Sequence, residues 1–383
     1  MANDNVVSSN LGGAFLRKPR SSNLELYRIV CMLMIVAHHY VVNSGLTSEG
    51  GPLLTDTTSG NSIFLTLFGA WGKTGINCFM MITGYFMCIS KITLRKFLKL
   101  MVQIYLYKLL IFPIFLITGY ETLSPLRIVK LVMPFWGISD GFTSCFIVFW
   151  LTIPFWSLLV QNMNKRQHEL LLLLTLGIYT LLGSVPSFSV KFNYVTWFGI
   201  LFLIASYIRM YPHPLFEKKT LWGWMTMVSV LIACGGIICM SLLFGEKIGI
   251  VYFLVDDSNK FFAVAIAVSS FLFFKNFKIK YSKVINSIGA ATFGVLLIHA
   301  NSNAMRQWLW KDTVDSVGHY YSLHTGELVL YSIGVVLAIF IVCNLVDQLR
   351  IATIEKWFFD WYDRKWSAKA DAFISRITTL KKI

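Results

Sequence analysis

Long apolar runs alternate with short polar segments along most of this chain. A helix needs about 20 mostly apolar residues to cross a bilayer. On that measure the pattern predicts ten spans, at 24–44, 62–89, 94–118, 143–161, 168–184, 193–210, 220–243, 260–274, 285–302 and 326–348. The polar stretches 45–61, 303–325 and 349–383 are too short to fold independently. The expected class is therefore all-α and polytopic: a polar tail at 1–23, a membrane body at 24–348, and a basic tail at 349–383. Trp357, Trp361 and Trp366 stand among Lys and Arg in that last tail, which predicts a helix lying on the membrane surface. Residues 124–136 are amphipathic and lead into Pro134, the pattern of a short interfacial helix.

Composition agrees. Hydrophobic residues make up 56% of the chain and charged residues only 14%, against about 25% charged in soluble domains. The formal net charge of +15 raises the question of nucleic acid, but its distribution answers otherwise. Most Lys and Arg lie in the N-terminal tail, in alternate inter-span segments (91–99, 165–166, 209–219, 275–283) and in the C-terminal tail. That is the positive-inside asymmetry of an even number of spans with both termini cytosolic, and it accounts for the charge without a nucleic-acid partner. All seven cysteines fall inside apolar runs without CxxC or metal-ligand spacing, so they read as packing residues and no metal site is expected. The chain lacks a GxSxG elbow, an HExxH pair and a Walker-type loop.

Ionisable side chains within the spans are costly and mark candidate chemistry. Arg28 and His39 are separated by ten residues on the first span. Eleven helical steps amount to three turns and roughly 20°, so both side chains share one face, about 16 Å apart along the axis. Each also has a plainer reading, Arg28 as a cation snorkelling to a helix end and His39 as an interfacial histidine bonded to a carbonyl. His38 points about 100° away and is the weaker candidate. The segment Gly69 to Tyr85 carries four glycines with Lys73, Asn77 and Thr83, which fits either a broken helix lining a cavity or close helix packing. Lys91, Arg95, Lys96 and Lys99 form a basic run at the start of the third span, suited to phosphate or simply to positive-inside flanking. His299 closes the ninth span. Asp312, Asp315, His319, His324 and Glu327 follow it as an acceptor-facing rim or a solvated loop.

Together these features resemble acyltransferase family 3 of bacterial membrane proteins. The family's hallmark is an Arg, ten residues and a His on the first helix, matched by Arg28 and His39, with the acidic residue three before the Arg supplied by Glu25. Its second motif, roughly G-x-x-G-V-x-x-F-F-x-x-S-G-F, is followed by Gly72-Lys73-Thr74-Gly75-Ile76-Asn77-Cys78-Phe79-Met80-Met81-Ile82-Thr83-Gly84-Tyr85. Lys96 and Lys99, with Arg95 nearby, stand for a paired-arginine motif. Phe149-Trp150-Leu151 and Leu296-Leu297-Ile298-His299 resemble two later motifs. Departures are Asn77 where an acid is common, Thr83 for Ser, and lysines for the paired arginines. The similarity runs in order from about residue 22 to 348.

The resemblance implies transfer of an acyl group, usually acetyl from acetyl-CoA, to a hydroxyl of a cell-surface glycan or its lipid-linked precursor. It is closest to stand-alone members in the bacterial plasma membrane, which lack a fused esterase-like domain. His39, Arg28 and Glu25 are then the expected catalytic residues, and Lys73, Asn77, Thr83, Trp150 and His299 the expected substrate-binding ones. Arg28, Arg95, Lys96 and Lys99 would meet the phosphates of acetyl-CoA, a co-substrate with no bound cofactor beside it. The pantetheine arm would run along the first helix to His39, acting as general base or as covalent acyl carrier, with Asn77 or Thr83 at the oxyanion. Membrane lipids are the other expected partners, and no feature indicates the oligomeric state. A transporter or flippase of a lipid-linked glycan is the competing reading. The lack of an internal repeat counts against it.

Overall fold

The computed structural model describes residues 21–366 apart from Lys91, Asp140 and Ser189. Lys91 of the basic run, the first 20 residues and the last part of the C-terminal tail lie outside the described residues. The helices of eight residues or more are α1 (Ser22–Val42), α2 (Gly60–Gly69), α3 (Gly72–Met87), α4 (Leu94–Ile117), α5 (Pro125–Val132), α6 (Phe142–Asn162) and α7 (Lys165–Leu176). They continue with α8 (Tyr194–Met210), α9 (Lys219–Phe244), α10 (Phe261–Lys275), α11 (Lys283–Ala290), α12 (Thr292–His299), α13 (Thr325–Arg350) and α14 (Lys356–Lys365). No strand occurs among the described residues. Polar caps punctuate the apolar runs. Thr93 accepts from the Lys96 amide at 3.3 Å, Asn164 and Gln167 form a reciprocal capping box, and Ser124 caps α5 with Pro125 at its first position.

Helix occupies each of the ten expected stretches, although not always in one piece. Among the described residues, five helical segments are long and apolar enough to cross a membrane, or six if the bent segment Lys283–His299 with Asn303–Ser322, turned by 93°, is counted as one. Tyr194–Met210 and Phe261–Lys275 are apolar but shorter. The stretch 62–89 breaks between α2 and α3. A Cβ on Gly69 would collide with Val41, and one on Gly72 with the His38 ring. The break therefore exists where two glycines let the backbone press against the far end of α1. The stretch 285–302 breaks at Ala291.

α1 is the hub, packed against α2, α3, α10, α11, α12 and α13. The polarity of α13 is inverted relative to a soluble helix. Leu330, Leu337, Leu345 and Leu349 are exposed, while Ser332, Asn344, Asp347 and Arg350 are buried. An apolar exterior around a polar interior is the arrangement that suits lipid. Beyond Arg350 the chain continues through a wide π turn, Ile351–Glu355, into α14. Trp357, Trp361 and Trp366 stay exposed there.

Candidate functional site

α12 ends at His299, a fully buried residue whose Nδ1 lies 2.6 Å from the Val295 carbonyl one turn back. A carbonyl only accepts, so Nδ1 carries the hydrogen and the neutral ring presents Nε2 as an acceptor. His39 on α1 meets that atom, with its Nδ1 2.9 Å from His299 Nε2. His39 Nδ1 is therefore the donor, and its remaining nitrogen, Nε2, holds an unshared lone pair. Trp310 packs edge-on to the His299 ring, with centroids 6.2 Å apart at 89°, and fixes it from the π-helical turn Gln307–Thr313. The relay of carbonyl, imidazole and imidazole orients one basic nitrogen, the arrangement that general-base catalysis needs.

His39 opens onto a cavity of about 350 Å³, lined also by Ile35, Ile76, Ile104, Phe142 and Leu297. Lys108 from α4, Lys130 from α5 and Arg306 from the segment after α12 line it too, with no Asp or Glu in the described lining. Lys130 sits 5.3 Å over the ring of Trp136, another lining residue.

At the opposite end of α1, Arg28 Nη1 is 3.0 Å from Glu25 Oε1. α11 closes over Glu25 at Gly289, where a Cβ would collide with the carboxylate. Arg28 does not line the His39 cavity, to which α1 contributes Ile35 and His39. Cys31, Met32 and Ile35 lie buried between the two ends. The expected shared face of Arg28 and His39 is thus filled with side chains in this conformation rather than open as a channel along α1.

A different seam runs toward the cavity. A groove of about 660 Å³ at the start of α4 and the end of α6 is lined by Ser90, Leu94, Phe97 and Trp150. Trp150, Phe146 and Phe142 follow one another at i, i+4 spacing on a single face of α6. Phe142 lines the His39 cavity. Between groove and cavity, Phe146 packs on Phe293 at 5.6 Å and Phe293 on Phe79 at 6.3 Å. The basic run stands at the groove end. Lys96 donates to Ser90 at 2.6 Å, Arg95 forms a fork onto Asp363 of α14 at 3.0 Å, and Lys99 pairs with Glu355.

Other expected site residues are engaged elsewhere. Asn77 donates to the Ser258 carbonyl at 2.6 Å and accepts from the Trp197 indole at 2.9 Å, so both ends of its amide bridge buried elements. Thr83 donates to the Phe79 carbonyl within its own helix. Lys73 donates to Tyr194 at 2.7 Å and lines a separate cavity of about 270 Å³ with His38 and Asp256. His38 itself is held by the Gly69 carbonyl. Glu327 caps α13 through the His324 amide, Asp312 accepts from Gln307, and His319 stacks on Tyr331. The polar segment after α12 is not a loop but largely helical, and it is built mostly of such local contacts.

Sequence reading did not single out Lys108, Lys130, Arg306, Trp310 or Asp347. Asp347 is fully buried and accepts from Tyr107 at 2.7 Å, Gln103 at 3.2 Å and Arg350 at 2.6 Å. Arg350 passes the connection to Glu355 at 2.7 Å and so to Lys99. This charged ladder ties α4 to α13 and to the π turn that follows it. An acid three residues before an arginine at the end of an apolar run, as Asp347 and Arg350 are, was the available signal.

A family model described as an acyltransferase domain matches residues 21–346. No curated protein and no solved structure matches the chain.

Proposed function

This chain belongs to the acyltransferase 3 family of membrane proteins, and on that premise we propose that it moves an acetyl group from acetyl-CoA to a hydroxyl of a cell-surface glycan or its lipid-linked precursor. The observation that carries the reading is the His39–His299 contact at 2.9 Å, which leaves His39 Nε2 as a bare acceptor on a cavity. In the proposed step Nε2 takes the proton of the acceptor hydroxyl while its oxygen attacks the thioester carbonyl. The tetrahedral intermediate collapses, the C–S bond breaks, and the CoA thiolate recovers the proton from the His39 imidazolium. His299 stays hydrogen-bonded to His39 Nδ1 and holds the ring throughout; it acts as a positioning residue.

The distribution of Lys and Arg supports an even number of spans with both termini cytosolic, and the family resemblance supports ten spans in a bacterial plasma membrane. In that orientation the Trp150 groove faces the donor side and the His39 cavity the acceptor side. We take the α4–α6 seam as the path of the pantetheine arm, with the CoA phosphates at Arg95, Lys96 and Lys99, and with Arg28 adding charge near the same membrane face. The arm passes where Phe146, Phe293 and Phe79 now touch, so those rings part during turnover.

The test is transfer of radiolabel from acetyl-CoA to glycan by the purified full-length protein in proteoliposomes. Wild type is expected to label the glycan and His39→Ala to lose the activity while keeping its thermal unfolding profile. A His39→Ala protein that acetylates at the wild-type rate overturns the mechanism. Absence of any label transfer by wild type favours the transport reading.

A further inference from the structure

The cavity beside His39 is charged in one sense only. Lys108, Lys130 and Arg306 reach it from three separate elements, and its described lining holds no carboxylate. None of the three cations is in an ion pair among the described residues. Arg306 touches the Asn303 amide oxygen at 3.4 Å, and Lys130 lies over Trp136. An adjoining cavity of about 180 Å³ shares Lys108, Lys130 and Asn301. It contributes one carboxylate, Glu121, which lies 3.5 Å from Arg127 and is thus balanced locally.

Three cations facing one space repel each other unless something opposes them, and Lys108, within α4, adds the cost of a charge at membrane depth. Elsewhere the buried cation Arg350 has its carboxylate partners in Asp347 and Glu355. At the His39 cavity the described chain supplies none, so the compensating charge arrives with the ligand. Arg and Lys donors suit carboxylate and phosphate oxygens through charge-assisted hydrogen bonds. The Trp136 face, the Thr143 hydroxyl and the Asn301 side chain, all in the lining, provide an apolar platform and polar groups appropriate to a sugar ring.

We infer that the acceptor is an acidic glycan, one bearing a carboxylate or phosphate on or next to the sugar whose hydroxyl meets His39 Nε2. The inference rests on the acyl-transfer reading for the identity of the step, but the charge preference is measurable without it. Lys108, Lys130 and Arg306 hold the anionic substituent, and their placement relative to His39 selects which hydroxyl reaches the base.

The experiment uses the full-length protein in phosphatidylcholine nanodiscs, titrated with a glucuronate-containing trisaccharide and with its carboxyl-reduced neutral counterpart. The acidic probe is expected to bind about tenfold or more tightly than the neutral one and to lose that advantage in high salt. The advantage is expected to vanish in the Lys108→Gln/Lys130→Gln/Arg306→Gln triple variant and to return with Lys→Arg changes at the two lysines alone. Should the triple variant not fold, Arg306→Gln, at an exposed position, is expected to reduce the preference severalfold. Equal affinity for the two probes, no measurable binding of either, or a preference that persists in these variants overturns the inference. A preference that disappears once phosphatidylglycerol is added to the nanodisc also overturns it and assigns the cations to a lipid headgroup. Acetyl-CoA turnover in the same discs separates the two proposals. Turnover with no charge preference sinks the acidic acceptor alone, and a charge preference with no turnover sinks the acyl-transfer reading alone.

Discussion

His39 and His299, separated by 260 positions in the chain, meet at 2.9 Å, and the Val295 carbonyl behind His299 decides the direction of the hydrogen bond between them. An acceptor at one end of the relay leaves an acceptor at the other. The outward nitrogen of His39 is then basic by construction, because every other arrangement of hydrogens in the neutral pair places two donors or two acceptors face to face.

That relay sets different expectations for its two members. His39→Ala is expected to lower acyl transfer by about 10²–10⁴-fold, the range of general-base catalysis. His299→Ala is expected to cost about 100-fold in kcat, with little change in KM, and to displace the pH limb of kcat that belongs to His39. His299→Gln, which can still accept from His39 Nδ1, is expected to recover much of that loss. Equal loss at every pH in His299→Ala, without rescue by Gln, would indicate a packing role only.

The basic run offers a test of the donor site. Arg95 is now paired with Asp363 and Lys99 with Glu355, so CoA phosphates must displace those carboxylates. Asp363→Ala is expected to lower KM for acetyl-CoA severalfold and Arg95→Ala to raise it. Stability is expected to change by about 1 kcal/mol or less, since the Arg95–Asp363 pair is exposed. Unchanged KM in both variants removes Arg95 from donor binding.

The Asp347 ladder is expected to be structural. Asp347→Ala leaves Arg350 buried without its nearest partner, a change worth about 3–5 kcal/mol. Gly294→Ala presses a methyl group into the same carboxylate and is expected to cost about 1–3 kcal/mol. Gly334→Ala, with nothing within 4 Å of the added carbon, is the control and is expected to be neutral or slightly stabilising. Thermal unfolding in detergent ranks the three, and a Gly294→Ala protein as stable as Gly334→Ala contradicts the packing described.

Asn77 separates a structural role from a catalytic one. Removing its amide orphans the Trp197 indole and the Ser258 carbonyl, each a penalty of about 1–3 kcal/mol. Asn77→Ala is therefore expected to unfold at lower temperature while kcat per folded molecule stays within about threefold of wild type. A loss of 100-fold or more in folded protein would instead match the removal of an oxyanion donor.

Much of this protein could be read along the chain because much of it is periodic. Apolar length predicts helices wherever they occur, the spacing of Arg28 and His39 places them on one face of α1, and the glycines from Gly69 onward leave a broken helix and close helix packing equally open. Local rules also explain the caps at Thr93, Ser124 and Asn164. Pattern was less informative about helices that break: the stretches 62–89 and 285–302 read as single spans because an apolar run carries no mark of the collision that divides it.

What the sequence determined by itself is the helical membrane body, its charge asymmetry and the motif residues Arg28 and His39, since each follows from composition or from neighbours within a few turns. Only the tertiary structure decided that His299 turns a particular nitrogen to His39, that Lys108, Lys130 and Arg306 face one cavity, and that Asn77 is consumed by a bridge. Those pairings join residues far apart in sequence. They depend on how helices pack and on the cost of leaving a buried donor, acceptor or charge without a partner, a cost that is settled only when all the neighbours are in place.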